Sequence, residues 1–265
     1  EILKNGKHEN ATGFVGVPAT FYQILNSFTE LFSSISSIHY LLTNTAPMKK
    51  EYILQVTNLF PKANFYTYYG LTEASRSTFL LFNKNKNKLE SVGKAAPGVE
   101  IKILDDDGIT ISNNHIGEIF IKGDNVIRNY WNNSKADQSI EDGWLKTGDL
   151  GYFDSDGFLF LKSRKDDLIN VGGEKFTPEE VELVIKEIPE ISDVAVIGIP
   201  HEIFGQLPIA FVVTNNEITS TQIINHCSKK IEQYKIPHKI LFLDVIPKTD
   251  SGKIKRNALK SKFTQ

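Results

Sequence analysis

The sequence is poor in sulfur: its 265 residues include one cysteine, Cys227, and one methionine, Met48. A single cysteine excludes an internal disulfide and a cysteine-rich metal site. It also suits a reducing compartment. Charge of one sign is lacking too, since 30 Lys and Arg face 32 Asp and Glu, for a formal net charge of -2. That balance gives no long-range attraction to nucleic acid or anionic lipid, so any polyanion must be held by a local site. The basic residues are scattered and do not interleave with aromatics, which argues against a nucleic-acid partner. No apolar run approaches the roughly 20 residues that cross a bilayer. No charged-then-apolar leader opens the chain. A cytoplasmic protein without a membrane span is therefore expected. The first residue is Glu1 and the one methionine lies at position 48, so the chain is read as a piece cut from a longer one.

What remains is ordinary for a globular protein, with 40% hydrophobic and 23% charged residues. Three textures follow one another. Phe21, Ile24, Leu25, Phe28, Leu31 and Phe32 recur at helical spacing after Pro18, which predicts one amphipathic helix. Residues 38–42 read as a buried strand, 49–60 as a helix and 64–69 as another strand, an alternation that predicts an α/β layer with parallel strands. From about Gly93 short alternating runs, 100–104 and 117–122, are separated by Asp-Gly turns, which predicts a small antiparallel sheet or barrel. After Asp166 a helix is expected from Pro178, then strands at 194–197 and 209–213. A second helix from about Thr221 carries Ile223, Ile224, Cys227, Ile231 and Tyr234, and a strand follows at 240–243. Together these make a small α+β domain. The boundary falls at Arg164 to Asp167, giving domains 1–165 and 166–265. The polar run Asn83 to Lys88 reads as a solvated loop.

Four segments can carry chemistry. In Tyr69-Gly70-Leu71-Thr72-Glu73 a glycine at a strand end lets backbone approach a ligand. Thr72 can then donate to phosphate, and Glu73 can hold Mg²⁺, which prefers oxygen ligands. A strand-to-helix turn with Thr72 as N-cap accounts for the same residues. Gly143 to Gly151 places three glycines around Asp149, which suits backbone packed on a ligand with the acid accepting from ribose hydroxyls, or a β-turn capped by the acid. Ser163 to Asp167 and Asn170 to Lys175 bracket a short strand, as a solvated surface or as a hinge beside a site. Pro247 to Arg256 resembles a phosphate loop but lacks the Walker A glycine and hydroxyl. It reads as an exposed turn, or as a mobile loop that offers Lys253 as a point charge to phosphate. No dinucleotide fingerprint and no zinc-spaced histidine pair is present. Cys227 beside His226 falls on an apolar face and reads as packing.

The order of these segments is more specific than any one of them. The motifs at 69–73, Gly117 to Gly123, 143–150, 164–182 and 247–253 resemble, from about Val17 onward, the acyl-CoA synthetase, luciferase and peptide-synthetase adenylation family. The resemblance implies the C-terminal part of a large adenylation domain followed by a small mobile domain. It implies ATP, Mg²⁺ and coenzyme A as cofactors and a carboxylic acid as substrate, converted to acyl-AMP and then to a thioester. By position Thr72 would contact phosphate, Glu73 the Mg²⁺ and Tyr69 the adenine. Asp149 and Arg164 would hold the ribose, and Lys253 would bridge carboxylate and phosphate. Asp166 would be the hinge, and Gly172-Gly173 would face the thiol. The stretch Gly172 to Glu182 looks most like the acyl-CoA ligases. A fatty acid is the expected acid, and a carrier-protein thiol or a silent adenylate-binding module are the alternatives. The chain departs from the family at Asn44, Thr45, Asn129 and Ser163, where glycines are usual, and the family's upstream phosphate loop is absent.

Overall fold

The computed structural model describes residues 1–131, 139–249 and 252–263. The chain divides into two compact units, 1–161 and 162–265.

The first unit opens with helix α1 (Ile2–His8), strand β1 (Gly13–Gly16), helices α2 (Pro18–Ser27) and α3 (Thr29–Ser33), strand β2 (Tyr40–Thr43), helix α4 (Lys50–Leu59) and strands β3 (Asn64–Tyr69), β4 (Thr78–Leu81) and β5 (Lys94–Ala95). β1, β2 and β3 pair in parallel, as the strand–helix alternation predicts, and β4 and β5 add antiparallel. Phenylalanines fill the layer between sheet and helices: Phe21, Phe32 and Phe65 are fully buried. Their rings meet Phe14, Phe60 and Phe82 at 4.7 to 5.5 Å, mostly edge to face.

The single helix expected over 21–32 is two. Phe28, with φ -141° and ψ 25°, ends α2. The Thr29 hydroxyl donates to the Leu25 carbonyl one turn back, so a side chain supplies a bond there in place of the helical ladder. In the polar run after β4, Lys84, Lys86 and Asn87 are exposed, as expected of a solvated loop, but Asn83 and Lys88 are tied down. Asn83 accepts from the Phe65 amide and donates to the Ala63 carbonyl. Lys88, with its side chain 16% exposed, is paired to Asp154 and Asp156.

A second sheet follows: β6 (Val99–Leu104), β7 (Gly117–Gly123), β8 (Ile140–Glu141), β9 (Trp144–Phe153) and β10 (Leu159–Arg164), in the order β10-β9-β7-β6 with β8 on β9; residues 162–164 of β10 are counted in the second unit. The β6–β7, β7–β9 and β8–β9 pairs are antiparallel. Ile103, Ile119, Ile121, Leu145 and Leu159 form its core together with Tyr69 and Ala74.

In the second unit β11 (Ile169–Val171) and β12 (Glu174–Phe176) form a hairpin, followed by helix α5 (Pro178–Ile185), strands β13 (Ile191–His201) and β14 (Gly205–Thr214), helix α6 (Ser220–Cys227), strand β15 (Lys239–Phe242) and helix α7 (Arg256–Phe263). Strand alternation sends Val194 and Val196 to one face, where Val181, Ile185, Ile223 and Cys227 cover them. Ala195 and Ile197 go to the other face, under Ile246 and Leu259. Helix α6 stops at Cys227, short of Tyr234, because the Cys227 carbonyl accepts from both the Lys230 and Ile231 amides and tightens the last turn. Ile231 and Tyr234 still reach that core from beyond the helix. No helix among the described residues is long and apolar enough to cross a membrane.

Candidate active site

β3 ends at Tyr69, and a closed turn follows. The Leu71 amide donates to the Ala74 carbonyl at 3.0 Å, and the Ala74 amide donates back to Leu71 at 3.2 Å. Gly70 is required here: a Cβ would stand 2.5 Å from the Arg76 nitrogen and 2.8 Å from the Ala74 carbonyl oxygen. Thr72 is exposed at the tip, and Glu73 is half-buried. The N-cap alternative for Thr72 fails, because the chain runs on into β4 and forms no helix.

Asp149 arrives on β9. The β7–β9 register shifts between Glu118 and Phe120, and Gly148 takes φ 69°. Such a bulge re-aims the next side chain. The Asp149 amide donates to Thr147 Oγ1 at 3.0 Å, and that hydroxyl donates to the Ile119 carbonyl at 2.8 Å. Asp149 Oδ2 then accepts from the Tyr69 hydroxyl at 2.5 Å. Glu73 Oε1 accepts from the Tyr130 hydroxyl at 3.0 Å. The fold thus forms two bonded pairs, Tyr69 with Asp149 and Tyr130 with Glu73, on either side of the 70–72 turn; motif reading passed over Tyr130. Tyr130 lies 57 positions after Glu73, and no local pattern links the two.

A second strained element borders β3. Thr45, one of the glycine replacements, adopts φ 77°, an outlier for a β-branched residue. Its neighbour Asn44 donates to the Tyr68 hydroxyl. Thr43 Oγ1 is buried without a partner among the described residues.

The second unit carries the other expected residues on three segments. Arg164 ends β10, and Asp166 is exposed in the 3₁₀ turn Lys165–Asp167. Gly172 and Gly173 form the two-residue turn of the β11–β12 hairpin, with φ 62° and 98°, values that favour glycine. Three bonds hold that turn: the Gly172 amide donates to the Phe204 carbonyl at 2.8 Å, the Gly173 amide to Asn170 Oδ1 at 3.0 Å, and the Asn170 amide to Gln206 Oε1 at 2.8 Å. Lys253 is exposed on a small hairpin closed by the Thr249 amide donating to the Lys253 carbonyl and the Lys255 amide donating to Pro247, both at 2.8 Å. Cys227, fully buried, has its thiol pushed up to about 11 by burial, which removes it as a nucleophile.

Glu73 offers one carboxylate, from a half-buried side chain, to a Mg²⁺. Among the described residues no three His, Cys, Asp or Glu side chains gather to hold a metal. Mg²⁺ held by one carboxylate and the phosphates of a nucleotide suits such a donor set.

Comparison with known proteins agrees with this architecture. Residues 1–131 match the AMP-binding enzyme model, and residues 180–253 match the AMP-binding enzyme C-terminal domain. A long-chain-fatty-acid–CoA ligase, FadD13 of Mycobacterium tuberculosis, is 34% identical over 94% of this chain and 49% of its own length. A 2-succinylbenzoate–CoA ligase of Listeria monocytogenes is 41% identical over 74% of this chain and 40% of its own. The o-succinylbenzoate CoA synthetase of Bacillus subtilis, solved with its acyl-adenylate intermediate, superposes with a TM-score of 0.82 at 32% identity, over 98% of this chain and 53% of that one. The same enzyme has been solved with AMP and with ATP and magnesium ion. The chain spans about half the length of these relatives. The chain belongs to the AMP-binding enzyme family.

Proposed function

We propose that the protein carrying this chain is an AMP-forming acid–CoA ligase. The observation that supports it most is the Tyr69–Asp149 pair beside the Thr72-Glu73 turn, in a chain whose relatives are named as CoA ligases. In this reading a substrate carboxylate oxygen attacks the α-phosphorus of ATP, and the bond to pyrophosphate breaks. Asp149, aimed by the Tyr69 hydroxyl, accepts from the ribose, and Arg164 assists it. Tyr69 also borders the adenine. Thr72 donates to phosphate, and Glu73, steadied by Tyr130, would hold the nucleotide's Mg²⁺. Lys253 offsets the negative charge that builds as carboxylate and phosphate meet, an electrostatic stabilisation of the transition state. Coenzyme A thiol then displaces AMP, with Gly172-Gly173 facing the thiol and Asp166 as hinge between the two steps. The acid is a fatty acid in this reading, and the domains are 1–165 and 166–265.

A thermal-shift panel of non-hydrolysable acyl-adenylates on the full-length protein tests it. At about 100 times Kd the stabilisation is about 2.7 kcal/mol, a rise of roughly 2–4 °C. The expected rise depends on acyl length and is lost in Asp149→Ala. No rise with any acyl-adenylate contradicts the reading.

A further inference from the structure

Arg256 opens α7 three residues after Lys253, and its side chain is only 10% exposed. Its guanidinium meets three carboxylates. Nη2 donates to Glu179 Oε1 at 2.5 Å, Nη1 to Glu182 Oε1 at 2.6 Å, and Nε lies 3.5 Å from Asp167 Oδ2. Nη1 also donates to the Val196 carbonyl at 3.0 Å, while Glu182 Oε1 accepts from the Val196 amide at 2.9 Å. One planar fork therefore ties the start of α7 to α5, to β13 and to the residue after Asp166.

Burying one cation among three acids is an expensive way to attach a terminal helix. Apolar packing by Leu259, fully buried, is already available for that. Burial pushes the Glu179 carboxyl up, with Arg256 pulling the other way. Glu179 Oε2 is buried with no partner among the described residues. What the fork adds is direction and register, which a hydrophobic contact cannot supply.

The loop it anchors carries Lys253. Within that loop the Lys253 amide donates to Thr249 Oγ1 at 3.1 Å, and Lys248 pairs with Ile254 as an antiparallel bridge. The backbone of Lys253 is thus set by these contacts, and from Ile254 the chain runs through Lys255 directly into Arg256. We propose that Arg256 is a positioning residue for Lys253, fixing the hairpin to α5 and to Asp167 so that the lysine and the segment beside Asp166 move as one body. This rests on the adenylation role of Lys253 given above.

The test uses the full-length protein and separates the two half-reactions. In Arg256→Gln, acid-dependent ATP–pyrophosphate exchange should fall on the order of 100-fold, the cost of a misplaced catalytic group. The loss should appear in kcat with KM for ATP little changed, while thioester formation from supplied acyl-adenylate is retained. Arg256→Lys, which keeps the charge without the fork, should recover part of the exchange. In a Lys253→Ala background Arg256→Gln should cost nothing further. Unchanged exchange in Arg256→Gln, equal loss of both half-reactions, or a loss that adds in full to that of Lys253→Ala overturns the proposal. Should Arg256→Gln fail to fold, Asp167→Asn loosens only the longest of these contacts. It should give a smaller loss in the same half-reaction, and no loss there overturns the proposal too. If Lys253→Ala itself leaves exchange intact, the adenylation reading fails, and Arg256 has nothing to position.

Discussion

Asp149 owes its aim to two other residues. Thr147 fixes its backbone through a hydroxyl that is itself buried and bonded, and Tyr69 fixes its carboxylate at 2.5 Å. Removing the Tyr69 hydroxyl alone leaves the ring in its core and takes away one bond to an acid. Tyr69→Phe should therefore weaken acyl-adenylate binding by about 1.5–3 kcal/mol, the range for hydrogen bonds to charged groups, read by calorimetric titration. Affinity unchanged in Tyr69→Phe would show that the pair does not shape the site. Glu73, Asp149 and Lys253 are visible in the sequence because each sits in a short dense motif. Tyr130 and Arg256 are not. Each acquires its partner by tertiary folding: Tyr130 lies 57 positions from Glu73, and Arg256 lies 74 and 77 positions from Glu182 and Glu179.

Single elements carry strain that can be measured. Thr45 at φ 77° holds a conformation that costs an L-residue roughly 1–2 kcal/mol. Thr45→Gly should raise the midpoint of chemical denaturation, offset in part by glycine's greater freedom when unfolded. A fall in the midpoint would mean that the Thr45 side chain contributes more than its backbone costs. At the β11–β12 turn the sign is opposite. Gly172→Val puts a β-branched side chain at φ 62°, so the hairpin should weaken, and thioester formation should fall while ATP–pyrophosphate exchange is spared. Equal loss in both steps would argue against a thiol-facing role for this turn.

Periodicity locates α4, α5, β3 and the β6–β7 pair, because each shows one apolar face over its length; the Gly143 to Gly151 segment, read as backbone around a ligand or as a β-turn, lies instead in strand β9 from Trp144 on. It ran α2 and α3 together because Phe28 and Phe32 keep helical spacing across the break, and only the Thr29 hydroxyl on Leu25 marks it. Helix α7 leaves no apolar stripe in the sequence, because Arg256–Phe263 contributes a single fully buried residue, Leu259.

At the scale of the whole molecule, the first unit needs its two sheets held in register if Tyr69 and Asp149 are to meet. Lys88, from the segment after β4, reaches Asp154 at 2.5 Å in the turn before β10. Asp154 also accepts from the Asp156 and Phe158 amides at 3.0 and 2.8 Å. Burial works to raise its carboxyl, but Lys88 and these amides together hold it below its ordinary 3.8. The stability it contributes is fully present above its unfolded value and is lost as pH falls through the folded value. Asp154→Asn should thus destabilise the protein at neutral pH by about 1–3 kcal/mol, and the difference from wild type should shrink as pH falls below 3.8. A difference independent of pH would mean that hydrogen-bond geometry, and not charge, does the holding.

In the proposed ligase Lys253 supplies the charge that drives adenylation. The most direct test of that role is acid-dependent ATP–pyrophosphate exchange in the full-length protein, wild type against Lys253→Ala, with thioester formation from supplied acyl-adenylate followed in parallel. Exchange should collapse in Lys253→Ala while thioester formation continues. Equal loss of both half-reactions, or exchange that survives the substitution, would contradict it.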